Sequence, residues 1–500
     1  MVWRMIGLLG LLVLPAGAGH ASYGIYVGRE LTADGSVLVG GTGDEVSSHW
    51  LEIVPRRRHA PGSTIRVGVD GRAIYPGEFI EIPQVAETAR FLTMNYSDFE
   101  GFPPPLTNGG LNEHGVAARD IWSPSRPELA AMTPNPQRGP NYSDLSRIVM
   151  ERARSAREAV EIVGELIDRH GFSTYGGNSH LFADAREGWV VVNFAGGQGL
   201  WIAERLGPDE ARMSYPGYVM EIPPDFQNHP DFMGSPNFVS FAEAQGWYDR
   251  AAGEPFDVNA VYGDGAGRSA TVRAFEAELL AVGRARGVTV RDMMNAVRDP
   301  RVSSDTNGYG QVARLRGGLA DPALGLLWVA PTGAVTAPFV PYWIGGTRVL
   351  PEYGKHRYLT RDQASGFVTP DFAVQEASAF AGRLFKRLMY YTCDAPDRFL
   401  EEVTAALTAF EDASLNERER IEKTAQVLLA AGERELASAV LTDFTTARAK
   451  AALDLGRDLL AGVEARHRLL VGHRAPRDPD RIATRHGPYV TCLGAGAGGG

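Results

Sequence analysis

The most constraining feature of this chain is the junction between an apolar N-terminal leader and a strand-like segment that begins with a serine. Arg4 is followed by an apolar run over residues 6–14, and small residues stand before Ser22 where a signal peptidase inspects the chain. The run is shorter than the roughly 20 residues that a membrane-spanning helix needs. We therefore expect residues 1–21 to be a signal peptide, with a retained N-terminal anchor as the alternative.

Cleavage after residue 21 would make Ser22 the first residue of the mature chain. One residue would then carry both a hydroxyl and a free α-amine. The reference pKa of an α-amine is about 7.7–8.0, so a large fraction of it is a neutral base near pH 7. A nucleophile with its own base attached is a recognised way to activate a hydroxyl. Ser22 is therefore a candidate catalytic nucleophile.

The amino-acid composition limits the kinds of molecule that this chain is expected to bind. The 500 residues include 60 acidic and 50 basic side chains, and the resulting net charge of −10 argues against nucleic acid or an anionic membrane surface. No later segment is long and apolar enough to insert into a membrane, so we expect a periplasmic or extracellular protein. Its two cysteines, Cys393 and Cys492, are too few for a disulfide scaffold and either pair or stay apart.

The mature chain is predicted to open with a β-hairpin. Residues 23–28 form the first strand, Asp34-Gly35 is a turn signal, and residues 36–40 return. The glycine-rich segment that follows lacks the Lys-Ser/Thr ending of a phosphate loop, which argues against nucleotide binding. Glycines at this point let backbone and substrate approach closely, and Asp44 comes directly after them.

A second polar turn is predicted over residues 107–117, between two strands. The side chain of Asn112 in this turn has two interpretations. It can donate a hydrogen bond to a developing oxyanion, or it can satisfy its own turn.

The remaining segments predict an α+β fold. Helices are expected over residues 143–154, from the capping box at Ser155 to Gly171, and over 238–302, and strands over 179–183, 188–194, 200–204, 326–330 and 337–343. Helical periodicity then dominates to about residue 470, with breaks near 394–396 and 413–414. We expect a catalytic domain over 22–370, a helical C-terminal region over 371–471 and a disordered tail over 472–500.

Several hydrolase motifs are missing from the sequence. There is no His-Glu-x-x-His, and the 11 histidines are scattered, so we expect no metal site. There is no Gly-x-Ser-x-Gly elbow and no Ser-x-x-Lys motif.

Five groups of segments resemble the bacterial dipeptidase family that includes dipeptidase A of lactic acid bacteria and, more distantly, the secernins. They are residues 22–28 with 33–36, 111–117, 156–160 with 166–167, 187–191 with 340–342, and 441–444. This family belongs to the N-terminal nucleophile hydrolases and is related to bile salt hydrolases and penicillin V acylases. The resemblance implies a four-layer αββα fold with a C-terminal helical appendage, hydrolysis of small peptides and no cofactor.

The chain departs from the family pattern at two positions. The usual nucleophile is a cysteine, whereas this chain has Ser22, which is an accepted nucleophile in the wider superfamily. Many members of the family carry an Arg-Asn pair that begins three residues before the acidic residue matching Asp44, and this chain has Gly41-Thr42 there. Arg119 is the candidate to bind substrate in place of that arginine. These departures keep two alternatives open: an N-acyl amide hydrolase of the acylase type, and a non-catalytic relative that retains the fold.

The mechanism expected from the residues and the resemblance uses three side chains. Ser22 attacks the amide of a small peptide and its α-amine moves the proton, while Asp44 orients that amine or the ammonium of the substrate. Asn112 and backbone N–H groups hold the oxyanion. The oligomeric state stays open, with a homo-oligomer among the alternatives.

Overall fold

A computed structural model describes residues 22–44, 49–96, 99–215, 217, 219–355, 380–472 and 492–493. The predicted signal peptide, the first residues of the predicted helical region and nearly all of the predicted tail lie outside them.

Most of the strands belong to two antiparallel sheets. In chain order the strands are β1 Tyr23–Val27, β2 Val37–Thr42, β3 His49–Val54, β4 Arg57–Arg58, β5 Thr64–Val67, β6 Ile80–Pro83, β7 Glu87–Thr88, β8 Phe91–Tyr96, β9 Leu106–Asn112, β10 Ala117–Trp122, β11 Asn178–Ala183, β12 Gly188–Asn193, β13 Trp201–Leu206, β14 Ala211–Ser214, β15 Glu221–Ile222, β16 Phe232–Gly234, β17 Phe256–Asp257, β18 Gly310–Leu315, β19 Leu326–Ala330 and β20 Val340–Trp343. One sheet has the order β14-β1-β2-β18-β19-β20 and the other has the order β16-β13-β12-β11-β10-β9-β8-β3. The first strand of the chain therefore lies inside a sheet, between β14 and β2.

The two sheets stack face to face, and glycines allow the close approach. A Cβ atom on Gly24 of β1 would lie 2.9 Å from Leu181 Cδ2 and 3.3 Å from Ile121 Cδ1 of the facing sheet. A Cβ atom on Gly188 of β12 would lie 2.6 Å from the ring of Tyr26. Only glycine fits at such contacts without moving a neighbour. The facing apolar side chains form one continuous core.

Helices cover the outer faces of both sheets. In chain order they are α1 Pro127–Ala130, α2 Tyr142–Arg152, α3 Ala156–His170, α4 Phe238–Ala244, α5 Val258–Tyr262, α6 Ala270–Arg286, α7 Val290–Arg298, α8 Ala381–Asp394, α9 Pro396–Ala430 and α10 Arg434–Val471. Short 3-10 helices lie at Arg29–Leu31, Phe226–Asn228, Arg250–Ala252, Pro322–Leu324 and Pro351–Tyr353.

The layers follow the order αββα. Helices α2 and α3 pack on the eight-stranded sheet through an apolar cluster that includes Val160, Phe182 and Trp189. Helix α7 packs so closely on β2 that a Cβ atom on Gly40 would lie 2.7 Å from Met293 Sδ. The four-layer arrangement predicted from the resemblance is confirmed. Helix α3 begins as the capping signal predicts, since the hydroxyl of Ser155 accepts a hydrogen bond from Glu158 N.

The C-terminal helices α9 and α10 pack on the edge strand β20 of the six-stranded sheet, and α8 packs against both of these helices. The ring of Phe444 on α10 contacts Trp343 of β20 at 5.9 Å between centroids. Thr445 Oγ1 donates to Pro341 O at 2.9 Å. Because the apolar residues of these helices belong to the same cluster as the sheet–sheet core, the helical region and the sheets are packed as one body.

One boundary expected inside this helical region is wrong. Helix α9 runs without a break through residues 413–414, and Ser414 Oγ donates to Phe410 O at 3.0 Å within it. The break falls instead at Gly432, whose φ of +83° ends α9 before α10 begins. The other expected break agrees with the structure, since α8 and α9 separate at Ala395.

The two cysteines form a disulfide bond, which resolves the alternative left open by the sequence. Cys393 at the end of α8 is bonded to Cys492, 99 residues further along the chain. None of the helices in the described part of the chain combines the length and apolarity needed to cross a membrane.

Candidate active site

Ser22 lies immediately before β1 and is only 6% exposed. Strands β1 and β2 are antiparallel with Tyr23 opposite Thr42, so the residues that follow β2 return beside Ser22. The backbone N–H of Asp44 donates a hydrogen bond to Ser22 Oγ at 2.9 Å. A donor to this oxygen favours negative charge on it, as an attacking hydroxyl requires.

The carboxylate of Asp44 is held by the loop that precedes β18. Asn307 Nδ2 donates to Asp44 Oδ1 at 2.5 Å, and Ser304 N donates to Asn307 Oδ1 at 2.9 Å, which orients the amide. The backbones also meet, since Gly308 N donates to Gly43 O at 2.9 Å. The structure therefore brings Ser22 and Asp44 together and adds Asn307 as their neighbour.

A helix of the C-terminal region reaches this cluster. Burial lowers the pKa of Lys386 on α8, while the nearby carboxylates of Asp305 and Asp44 act in the opposite direction. Partial burial also raises the pKa of Tyr390, one turn further along α8, and the charge of Asp305 and a hydrogen bond to it add to this effect. Lys386 therefore interacts electrostatically with Asp44, whose backbone bonds to Ser22, and with Asp305.

An aromatic cluster lies beside the same loop. The ring of His49 covers Gly308 so closely that a Cβ atom there would lie 2.1 Å from His49 Cε1. This ring stacks on Tyr96 at 5.2 Å and approaches Tyr309 at 5.7 Å between centroids. Thr42 Oγ1 donates to Tyr309 O, which ties the cluster to the end of β2.

Arg119, the candidate substrate-binding residue, lies on β10 and is completely buried. Ile121 faces β1, and Arg119 is two residues earlier on the same strand, so it faces the six-stranded sheet too. Its Nη1 donates to the carbonyls of Ala118 and Gly110, which belong to its own sheet. Burial lowers the pKa of Arg119 to about 10, and Tyr309 opposes this effect.

Asn112 is not placed to hold an oxyanion, so the catalytic interpretation of this residue is wrong. Its Nδ2 donates to Ala153 O at 2.8 Å and to Met150 O at 3.3 Å. Its Oδ1 accepts from the backbone N–H groups of His114 and Val116, both at 3.0 Å. Both ends of the amide are used to hold the β9–β10 turn against α2, at the far end of β10 from Ile121.

Asn307, Asp305 and Lys386 were not singled out from the sequence. The first two belong to a run of small polar residues, Ser-Ser-Asp-Thr-Asn-Gly over 303–308, directly before a buried strand. Such a run signals a turn whose side chains bond to neighbouring backbone. Lys386 lies in a segment with a helical pattern, and nothing in the neighbouring sequence indicates that it lies close to Asp44.

Comparison with known proteins places these residues in a family. The sequence profile of peptidase family C69 matches residues 21–274. A probable dipeptidase of Salmonella dublin is 28% identical over 244 residues, which are 48% of this chain and 52% of that protein. A probable dipeptidase B of Lactococcus lactis is 29% identical over 136 residues, 27% of each protein. The chain thus spans about half or less of the length of these relatives.

Solved structures of conjugated bile acid hydrolase from Clostridium perfringens are also similar. Two variants of that enzyme share 12% sequence identity with this chain, each with a TM-score of 0.32. The first match covers 69% of this chain and 100% of the other, and the second covers 64% and 92%. The family profile covers just over half of the 500 residues and includes Ser22 and Asp44. The chain belongs to peptidase family C69.

Proposed function

We propose that this protein is an exported dipeptidase that hydrolyses the amide bond of small peptides, with Ser22 as an N-terminal nucleophile. The observation that carries the proposal is the hydrogen bond from Asp44 N to the nearly buried Ser22 Oγ at the head of an internal strand. Membership of a peptidase family and the names of the dipeptidase relatives support the substrate class.

The reaction proceeds through an acyl-enzyme. Ser22 Oγ attacks the carbonyl carbon of the amide while the α-amine of Ser22 takes the hydroxyl proton. The amine then passes this proton to the leaving nitrogen as the C–N bond breaks, which leaves an ester on Ser22. Water attacks the ester, the α-amine takes a proton from it, and that proton returns to Oγ as the acid product leaves.

The carboxylate of Asp44 orients the positive charge in this site. Asn307 fixes the carboxylate, so the negative charge is held at a defined position close to Ser22. The positively charged group that it orients can be the protonated α-amine of Ser22 or the ammonium group of a peptide substrate. Charge-assisted hydrogen bonds of this kind are about twice as strong as neutral ones.

Two observations support export. Residues 1–21 have the charge, length and small final residues of a signal peptide. The disulfide bond between Cys393 and Cys492 is typical of proteins in oxidising compartments.

The nucleophile is tested with purified exported protein, a panel of dipeptides and a panel of chromogenic N-acyl amides. Wild type is expected to hydrolyse dipeptides, and Ser22→Ala is expected to fall to background because the attacking atom is gone. Ser22→Cys is expected to keep partial activity and to become sensitive to thiol alkylation, since a thiol is also a nucleophile. An intact-mass measurement should show a chain that begins at Ser22.

Each contrary outcome overturns a defined part of the proposal. Turnover by a correctly processed Ser22→Ala protein would show that another group performs the attack. Hydrolysis of acyl amides alone would replace the dipeptidase with an acylase, and hydrolysis of neither panel would favour a non-catalytic relative. If the mature chain begins one or two residues away from Ser22, then Ser22 has no free α-amine to act as the base for its own hydroxyl.

A further inference from the structure

We propose that Lys386, which the C-terminal helix α8 supplies, is a positioning residue of the Ser22 site. Its ammonium group offsets the negative charge of Asp44 and so keeps the α-amine of Ser22 unprotonated near neutral pH. The inference rests on the proposed function, because it concerns the base that the N-terminal serine provides.

A continuous set of contacts joins α8 to the nucleophile. Thr336 Oγ1 donates to Phe385 O, the residue before Lys386, at 3.2 Å. From the same loop, Thr332 Oγ1 donates to Asn307 O at 3.2 Å. Asn307 in turn holds the carboxylate of Asp44 at 2.5 Å. Helix α8 is therefore fixed against the segment that orients Asp44.

The charged groups around Lys386 favour a compensating role. The carboxylates of Asp305 and Asp44 both stabilise its ammonium form against the effect of burial. Tyr390 lies one turn along the helix and hydrogen-bonds to Asp305. Two other charged residues of α8 face α10 instead, where Arg387 pairs with Glu464 and Asp394 with His467. The remaining one, Arg383, lies one turn before Lys386 and is exposed.

The α-amine needs such a compensating cation. A carboxylate beside an amine raises the pKa of that amine, because it stabilises the protonated form. A general base works best when its pKa lies near the working pH. The segment from Gly40 to Asp44 carries no basic side chain, so β2 and the two residues after it bring only negative charge to Ser22. Lys386 supplies the opposite charge from another element.

The test compares the pH dependence of kcat/KM for wild type, Lys386→Met, Lys386→Arg and Lys423→Met. Loss of the ammonium should raise the pKa of the base, so the acidic limb of the Lys386→Met profile should move up by about one pH unit. Dipeptide hydrolysis at pH 6 should then fall about tenfold, with a much smaller change on the alkaline plateau. Arginine should preserve the wild-type profile, and so should Lys423→Met, which removes an exposed lysine of α9. Asp44→Asn should move the acidic limb in the opposite direction.

A second measurement reports on the amine without catalysis. Reductive methylation with ¹³C-formaldehyde labels the α-amine and four lysines, Lys355, Lys386, Lys423 and Lys450, and the pKa of each follows from an NMR titration. The pKa of the α-amine should rise in Lys386→Met and stay unchanged in Lys423→Met. Lys386→Gln replaces Lys386→Met if the latter does not fold.

The outcomes separate the two proposals. An unchanged profile and an unchanged α-amine pKa in folded Lys386→Met would overturn the role of Lys386 and leave the dipeptidase intact. A parallel loss of activity at every pH would also overturn it, because that result indicates a structural role. If wild type hydrolyses no peptide, the proposed function fails, and the titration still decides whether Lys386 controls the amine. A chain with another N-terminal residue overturns both proposals, and the mass measurement identifies that case.

Discussion

Asp44 contacts Ser22 through its backbone and Asn307 through its side chain. Its N–H donates to Ser22 Oγ, while its Oδ1 accepts from Asn307. A change to asparagine therefore keeps the backbone donor and one side-chain oxygen, removes the charge, and turns the other oxygen into an N–H donor. This separation makes residue 44 a clean position for measuring electrostatic effects on the nucleophile.

Asn112→Ala is expected to reduce stability without reducing catalysis. The substitution leaves two backbone N–H groups and two carbonyls without their partner, and we expect a loss of about 2–4 kcal/mol in the free energy of unfolding. The kcat/KM of the folded variant should stay within about threefold of wild type. Urea unfolding and dipeptide kinetics measure the two quantities. A stably folded Asn112→Ala protein with kcat/KM lowered a hundredfold would restore the oxyanion role.

The sequence could predict part of the candidate site because part of it is local. The Asp-Gly turn signal predicts the hairpin, and the hairpin brings Asp44 back to Ser22. Asn307 is 263 residues from Asp44, and only the pairing of β18 with β2 brings it there. The turn signal at Asn112 fits both an oxyanion-binding role and a turn-stabilising role. The position of α2, which the local sequence does not reveal, decides between them.

At the scale of whole elements, one buried carboxylate connects three of them. Glu411 of α9 is completely buried and accepts hydrogen bonds from Arg291 and Arg298 of α7. Its Oε1 also accepts from Phe339 N at 2.9 Å, just before β20. The helical region is therefore joined to the sheet layers by charge as well as by apolar packing.

Glu411→Gln is expected to destabilise the protein by about 3–5 kcal/mol, because it leaves the buried guanidinium group of Arg298 without its counter-charge. Asp412→Asn is the matched control. Asp412 also pairs with Arg291 but its side chain is 54% exposed, so its loss should cost about 0–1 kcal/mol. Denaturant unfolding of both variants gives the comparison. Equal losses in the two variants would show that burial of Glu411 does not control its contribution.

The elements that the sequence predicts well are those with local start and stop signals. Helix α3 begins at its Ser155 cap and ends at Gly171, whose φ is +79°. The expected break at residues 413–414 had no such signal. Ala413 favours a helix, and Ser414 is accommodated because Arg448 of α10 donates to its Oγ at 2.8 Å. The hydrogen bond that accommodates Ser414 therefore comes from another helix, so the local sequence could not predict it.

For the whole molecule, His180 should limit stability in mild acid. It is completely buried on β11, and burial lowers its pKa from 6.5 to about 4. Below pH 6.5 the unfolded chain therefore binds a proton that the folded chain does not, so stability falls as the pH drops toward 4. The full effect is about 3 kcal/mol.

Urea unfolding from pH 7.5 to pH 4 measures this dependence. His180→Gln should flatten the curve in that interval, whereas His229→Gln, at an exposed position, should leave it unchanged. A wild-type curve with no slope between pH 6.5 and pH 4 would show that His180 is not held neutral.

The disulfide bond turns the last part of the described chain into a closed covalent ring. Helices α9 and α10 lie entirely between Cys393 and Cys492, and the turn over residues 431–433 that joins them is exposed. A protease that cuts this turn opens the ring but releases no fragment, because each piece still holds one of the bonded cysteines. The nicked protein remains one molecule, and both helices stay covalently linked to the sheet layers.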